Sequence, residues 1–130
     1  MSKKYQTSII HQLPNYKGFD CYLVDEVPKV LCQFGFLNIS EFDPAKRDPC
    51  DEKEVAVCKQ FLSSLVKRKA INDERGSYGL KHDIEDKRRI YTTNGDCIKA
   101  MMELGFDLKV IGPNAFFNYT TKSYNAFLTI

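Results

Sequence analysis

The chain has 130 residues, 43% of them hydrophobic and 28% charged, with 19 Lys and Arg against 17 Asp and Glu and a formal net charge of +2. Such a length and apolar share suit one globular domain over 1–130 that buries a core without metal or disulfide staples, and they exclude intrinsic disorder. The balance of acids and bases removes the large basic excess of non-specific nucleic-acid and membrane-surface binders, so any electrostatic attraction must be local.

The first stretch, MSKKYQTSIIHQLPNYKG, holds no apolar run long enough for a secretory signal, and residues 1–20 read as an irregular segment. No segment approaches the roughly 20 apolar residues that span a bilayer. Five scattered cysteines (Cys21, Cys32, Cys50, Cys58, Cys97) are odd in number and suit reduced thiols in a cytoplasmic protein. Zinc sites bring ligands in close pairs, but the nearest cysteines here are Cys50 and Cys58, and the only histidines are His11 and His82. The expectation is therefore no metal, no cofactor and no membrane partner.

Next, CYLVDEV (21–27) predicts a strand, and VPKVLCQFGF (27–36) predicts a short helix with Pro28 in its first turn and Gly35 at its end. NISEFDPAKRDP (38–49) is a polar connector. A long helix is predicted over 49–70. Asp48-Pro49 starts it, Asp51, Glu52 and Glu54 load its first turns, and Val55, Cys58, Phe61, Leu62, Leu65 and Val66 share one face. Lys67, Arg68 and Lys69 close it with the charge that favours a helix C-terminus, and the same run could contact phosphates.

A shorter helix follows over 77–87, with Ser77 at its start and Tyr78, Leu80 and Ile84 on its apolar side. Gly79 weakens it by roughly 1 kcal/mol. A second begins after Thr93, whose hydroxyl caps it with Asp96 at the third helical position. Ile98, Met101 and Met102 form its stripe, Gly105 ends it and Phe106 packs back. DLKVI (107–111) and AFFNY (115–119) read as strands joined by a turn at Gly112-Pro113-Asn114, and YNAFLTI (124–130) reads as a third strand. The expected fold is α+β, a small helix-rich domain with a C-terminal β-hairpin.

Helix, turn, helix, hairpin is also the order of a winged helix. In that reading Arg75, Lys81, Arg88, Arg89, Thr92, Asn94 and Lys99 would meet DNA or RNA, with Thr93 and Lys87 beside them and Lys109 and Lys122 on the wing. Against it, the connection from Lys87 to Thr93 is long for a helix-turn-helix. Asp83, Glu85, Asp86, Asp96 and Glu103 on the two helices would also repel phosphate. An enzyme reading rests on Cys97 in the first turn of a helix and on His82, but no phosphate loop, nucleophile elbow or paired-carboxylate signature supports it.

Phe116, Phe117, Tyr119, Tyr124 and Phe127 crowd the last fifteen residues, more than one face of a strand can bury. A protein-binding surface or homodimer interface built from Phe117, Tyr119 and Tyr124, with Tyr91 and Asn94 in the adjoining turn, is the favoured functional reading. SYGLKHDIE (77–85), YTTNGDCIKAMMELGF (91–106) and GPNAFFN (112–118) together resemble a pattern carried by small proteins of phages and mobile elements. That resemblance covers about 40 residues of the second half. It implies no chemistry, only a setting: accessory roles such as counter-defence, regulation or maintenance, with a host defence or regulatory complex as a natural target.

Overall fold

The structure, a computed structural model, describes residues 5–129. The fold is α+β, with helix and strand near parity at 38% and 32%, so helix does not predominate.

The first third is a four-stranded antiparallel meander, β1 (Ile10–Tyr16), β2 (Phe19–Val24), β3 (Val27–Cys32) and β4 (Gly35–Asn38), paired in that order. Two expectations fail here: the irregular segment includes β1 and the start of β2, and the helix over 27–36 is a hairpin. Residues 1–4 of that segment lie outside the described residues. The turns explain the miss. Lys17-Gly18 and Asp25-Glu26 both adopt left-handed φ angles, the two-residue geometry whose twist matches antiparallel strands. Only the first contains glycine. Asp25 holds the second turn by donating its N–H to the Ile9 carbonyl (2.9 Å) and accepting the Ile9 N–H on Oδ1 (2.8 Å).

β3 also lacks alternation, because it is covered on both faces. Leu31 joins Tyr22, Val24 and Phe36 in the main core, while Val30 and Cys32 join Phe19 and Cys21 in a smaller cluster capped by Phe42. A short apolar run buried on both sides does not distinguish strand from helix.

The predicted long helix is shorter. α1 spans Glu52–Leu62 with Asp51 as its N-cap, and residues 67–72 form β5 (Lys67–Asn72) instead of its last turns. Ser63 and Ser64 are poor helix formers, and the chain beyond them is captured from elsewhere. Val66 donates its N–H to Ser123 Oγ (3.0 Å), and its carbonyl accepts the Thr120 N–H (2.8 Å). The basic run thus forms an exposed sheet edge, where Arg68 bends back to donate to the carbonyls of Ala70 (3.0 Å) and Ile71 (3.3 Å) of its own strand. Charged residues on an edge discourage further strand pairing.

α2 (Ser77–Arg88) and α3 (Asn94–Glu103) lie where the sequence places them. The hairpin is present too, as β6 (Leu108–Ile111) and β7 (Asn114–Tyr119), and it completes a three-stranded sheet in the order β5-β7-β6. Where a third strand is expected at 124–130 the chain forms a helix, α4 (Thr121–Leu128), and residue 130 lies outside the described residues. Thr120 caps it by accepting the Ser123 N–H (3.1 Å), and Tyr124 and Phe127, three apart, turn inward together.

α3 sits at the centre, packed against α1, α2, β3, β4 and β7, with Cys97, Ile98, Ala100 and Met101 fully buried. The winged-helix-like arrangement is not confirmed: residues 94–98, the start of the second helix that would read a groove, are all buried. Ser8 links the two sheets: its N–H donates to the Leu108 carbonyl (2.8 Å), and its Oγ accepts the Val110 N–H (3.0 Å).

Candidate functional site

The aromatic surface proposed from the tail is not available. Phe117 and Tyr119 are fully buried and Tyr124 nearly so. Tyr119 donates its hydroxyl to the Arg75 carbonyl (2.6 Å), and Tyr124 donates to Asp83 Oδ2 (2.7 Å). The premise of too many aromatics for one strand face fails because residues 121–128 form a helix with an inward side of its own. Asn94 is buried as well, whereas Tyr91 is 70% exposed.

The basic residues proposed for nucleic acid are mostly committed within the fold. Arg75 grips Asp83 through two bonds (2.9 and 3.0 Å), Arg88 pairs with Glu54, and Lys99 joins Asp20 (2.7 Å) and Glu52. Lys81 and Thr92 are buried. Of the seven candidates, Arg89 is the exposed one without an ion pair among the described residues. On the hairpin, Lys109 faces Asp25 at 3.9 Å, and Lys122 lies on α4 rather than on a wing. Thr93 is occupied as a cap: it accepts the Asp96 N–H (3.1 Å) and donates its hydroxyl to Asp96 Oδ2 (2.6 Å), while Asp96 Oδ1 accepts the Asp51 N–H (2.9 Å).

Cys97 and His82 do not form a catalytic pair. Cys97 is fully buried, and burial pushes its thiol well up from the usual range. His82 instead directs Nδ1 to Glu85 (2.9 Å) and lies edge-on to Tyr78. All five cysteines are free, and burial raises the Cys58 thiol to about 12. Among the described residues, no three His, Cys, Asp or Glu side chains gather where one metal ion could be held, and no helix is long and apolar enough to cross a membrane.

What the fold does assemble is an aromatic cleft of about 460 Å³. Gln33 and Phe34 of the β3–β4 turn, Tyr78 and Lys81 of α2, Tyr91, Asn94, and Pro113 and Asn114 of the β6–β7 turn line it. Asn94 ties these parts together. Its Nδ2 donates to the Phe34 carbonyl (3.0 Å), to Asn114 Oδ1 (2.9 Å) and, at 3.4 Å, to the Pro113 carbonyl. The Gly95 N–H reaches the Gln33 carbonyl (2.8 Å), and a Cβ on Gly95 would overlap the Cys32 carbonyl oxygen. Across the joint, Phe36 donates its N–H to the Pro113 carbonyl (3.0 Å). The buried Oδ1 of Asn94 and Oγ1 of Thr92 are left without a hydrogen bond.

Within the cleft Lys81 is only 6% exposed, with its ammonium 5.2 Å from the centre of the Tyr78 ring and 4.7 Å from that of Tyr91. Its carboxylate neighbour is Glu85, at 3.4 Å to either oxygen. Both oxygens have closer donors, His82 Nδ1 at 2.9 Å and the Thr92 N–H at 3.0 Å. Burial works to raise the Glu85 carboxyl, but the Thr92 N–H and the Lys81 ammonium outweigh it and hold the group below the usual glutamate range. At the rim, the Arg47 guanidinium lies 4.3 Å from the centre of the Phe34 ring.

The sequence reading missed Phe34, Gln33 and the hairpin residues Pro113 and Asn114 as site residues, and it put Tyr78, 55% exposed at the cleft, on the inward side of its helix. The one local signal was a phenylalanine beside a glycine in Phe34-Gly35, which suits a turn that displays its ring. The cleft presents aromatic rings, one desolvated cation and side-chain amides, groups suited to binding. No family model, no curated protein and no solved structure matches the chain.

Proposed function

We propose that this is a non-catalytic accessory protein that docks a protein partner on the cleft between Phe34, Tyr78 and Tyr91. One observation carries the reading. Three large aromatic rings from three separate elements, 49%, 55% and 70% exposed, converge on a single cleft whose floor is fixed by the Asn94 and Gly95 hydrogen bonds. Rings held on a rigid frame lose little conformational entropy on binding, and central ones contribute about 2 kcal/mol or more each to an interface. Ile90, 58% exposed and next to Tyr91, extends the apolar area. The phage-like sequence pattern supports a host defence or regulatory complex as the setting. The engagement of Arg75, Arg88 and Lys99 with acids supports protein over nucleic acid.

Site-specific photo-crosslinking tests this. A benzophenone amino acid at position 91, in cells that naturally produce the chain, should give a discrete adduct with one protein. The same group at Val27, at the other end of β3 and 44% exposed, should not. Adding Phe34→Ala and Tyr78→Ala should abolish the adduct. A self-adduct would identify the partner as a second copy; equal adducts at both positions, or none at 91, would overturn the reading.

A further inference from the structure

We infer that the cleft receives an acidic side chain of its partner, with the Lys81 ammonium as the counter-ion and Tyr78 and Tyr91 as its walls. This rests on the reading of the cleft as a docking surface. Lys81 is an ammonium group taken out of water whose ion pair with Glu85 is long, 3.4 Å to either oxygen, and shared, because the same two oxygens take His82 Nδ1 at 2.9 Å and the Thr92 N–H at 3.0 Å. Beyond that pair the ammonium faces two ring faces, and an entering carboxylate would add a shorter charge-assisted bond than the one Glu85 gives.

The surroundings suit a peptide that carries such a carboxylate. Gln33, Asn94 and Asn114 present side-chain amides to the cleft, Asn94 Oδ1 has no donor, and exposed Arg47 on the Phe34 ring offers a second cation at the rim. A nucleic-acid strand asks for a row of cations along its phosphates. The cleft offers one buried lysine, and Arg75, Arg88 and Lys99 already pair with Asp83, Glu54, Asp20 and Glu52.

The experiment uses the full chain, with amide NMR and tyrosine fluorescence as readouts, and three probes: acetyl-Phe-Glu-Phe amide, its Phe-Gln-Phe counterpart and a short oligothymidylate. The Glu peptide should shift the resonances of Tyr91, Asn94 and Asn114 and bind at least about tenfold tighter than the Gln peptide, as one partly desolvated charge pair allows. Lys81→Gln should erase that preference while leaving the Gln peptide unaffected. If this variant does not fold, the comparison of the two peptides on the unaltered chain decides. Equal affinity for both peptides, or tighter binding of the oligothymidylate at the same residues, overturns the inference while leaving the cleft as a docking site. Failure of both peptides alongside a position-91 adduct overturns the inference alone. Failure of the peptides and the adduct together brings down the docking reading as well.

Discussion

Residues 90–91 and 92–97 adjoin in the chain and face opposite ways. Ile90 and Tyr91 are 58% and 70% exposed, whereas Thr92, Thr93, Asn94, Asp96 and Cys97 all lie below a tenth. The polar Thr-Thr-Asn-Gly string resembles a reading head, and the large hydrophobic pair before it, Ile90-Tyr91, resembles packing material. The fold reverses both. Thr93 is spent on a cap, Asn94 on tying together two turns, and Gly95 on the close approach of the Cys32 carbonyl, while Tyr91 faces solvent. Polar groups at the start of a helix are available only if the rest of the fold leaves that end open.

Four substitutions bear on this contrast. Phe117→Ala, which empties a fully buried ring site, should cost about 4 kcal/mol in urea unfolding and reveal nothing about binding. A loss under about 1 kcal/mol would return the tail aromatics to the surface. Gly95→Ala drives a Cβ into the Cys32 backbone and should cost about 3 kcal/mol, seen as a lowered Tm. A neutral result would mean that the α3 N-terminus stands away from the β3–β4 turn.

The third concerns acidity. Burial raises the Asp96 carboxyl above its ordinary 3.8, against hydrogen bonds from Thr93 and Asp51 that favour the ionised form. The folded chain then holds this proton more tightly than the unfolded chain. The stability it lends is full below 3.8 and is lost as pH rises through the raised folded value. Asp96→Asn should therefore remove a component of the unfolding free energy that falls as pH rises above 3.8. Parallel profiles for the two proteins would place Asp96 in water. Smallest in stability is Tyr91→Ala, expected to change it by about 1 kcal/mol or less, the scale of one exposed ring with a cation on its face. A larger loss would make Tyr91 a structural residue like its neighbours.

The parts of the fold legible in the sequence are those fixed by local chemistry: the Thr93–Asp96 cap, the left-handed Gly105 after α3, and the Gly112-Pro113 turn. The errors lie where distant groups decide. Leu62 ends α1 although apolar spacing continues to Val66, because Ser123 and Thr120, more than fifty residues on, bind the Val66 backbone. Asp25-Glu26 makes a hairpin turn without glycine, held by Ile9. α4 carries a local signal, Thr120 and Ser123 at cap spacing, which competes with an aromatic content that favours a strand. The cleft was legible at Tyr91 and Asn94 and, under another role, at Lys81. Its other walls come from turns more than seventy residues apart in sequence, and no pattern within a window brings Phe34 beside Asn114.

Ser8 has a consequence for the order of events in folding. Its hydroxyl meets Val110 across a separation of 102 residues, whereas the β1–β2, β2–β3 and β6–β7 hairpins close over a handful. Closing a flexible loop of that length carries a length-dependent entropy cost of about 4 kcal/mol, so the contact gains little until most of the intervening chain is already ordered. The hairpins can form early, and the Ser8 contact is expected to form late. Removing its hydroxyl should speed unfolding while leaving the refolding rate almost unchanged, because Ser8 acts after the transition state has been crossed.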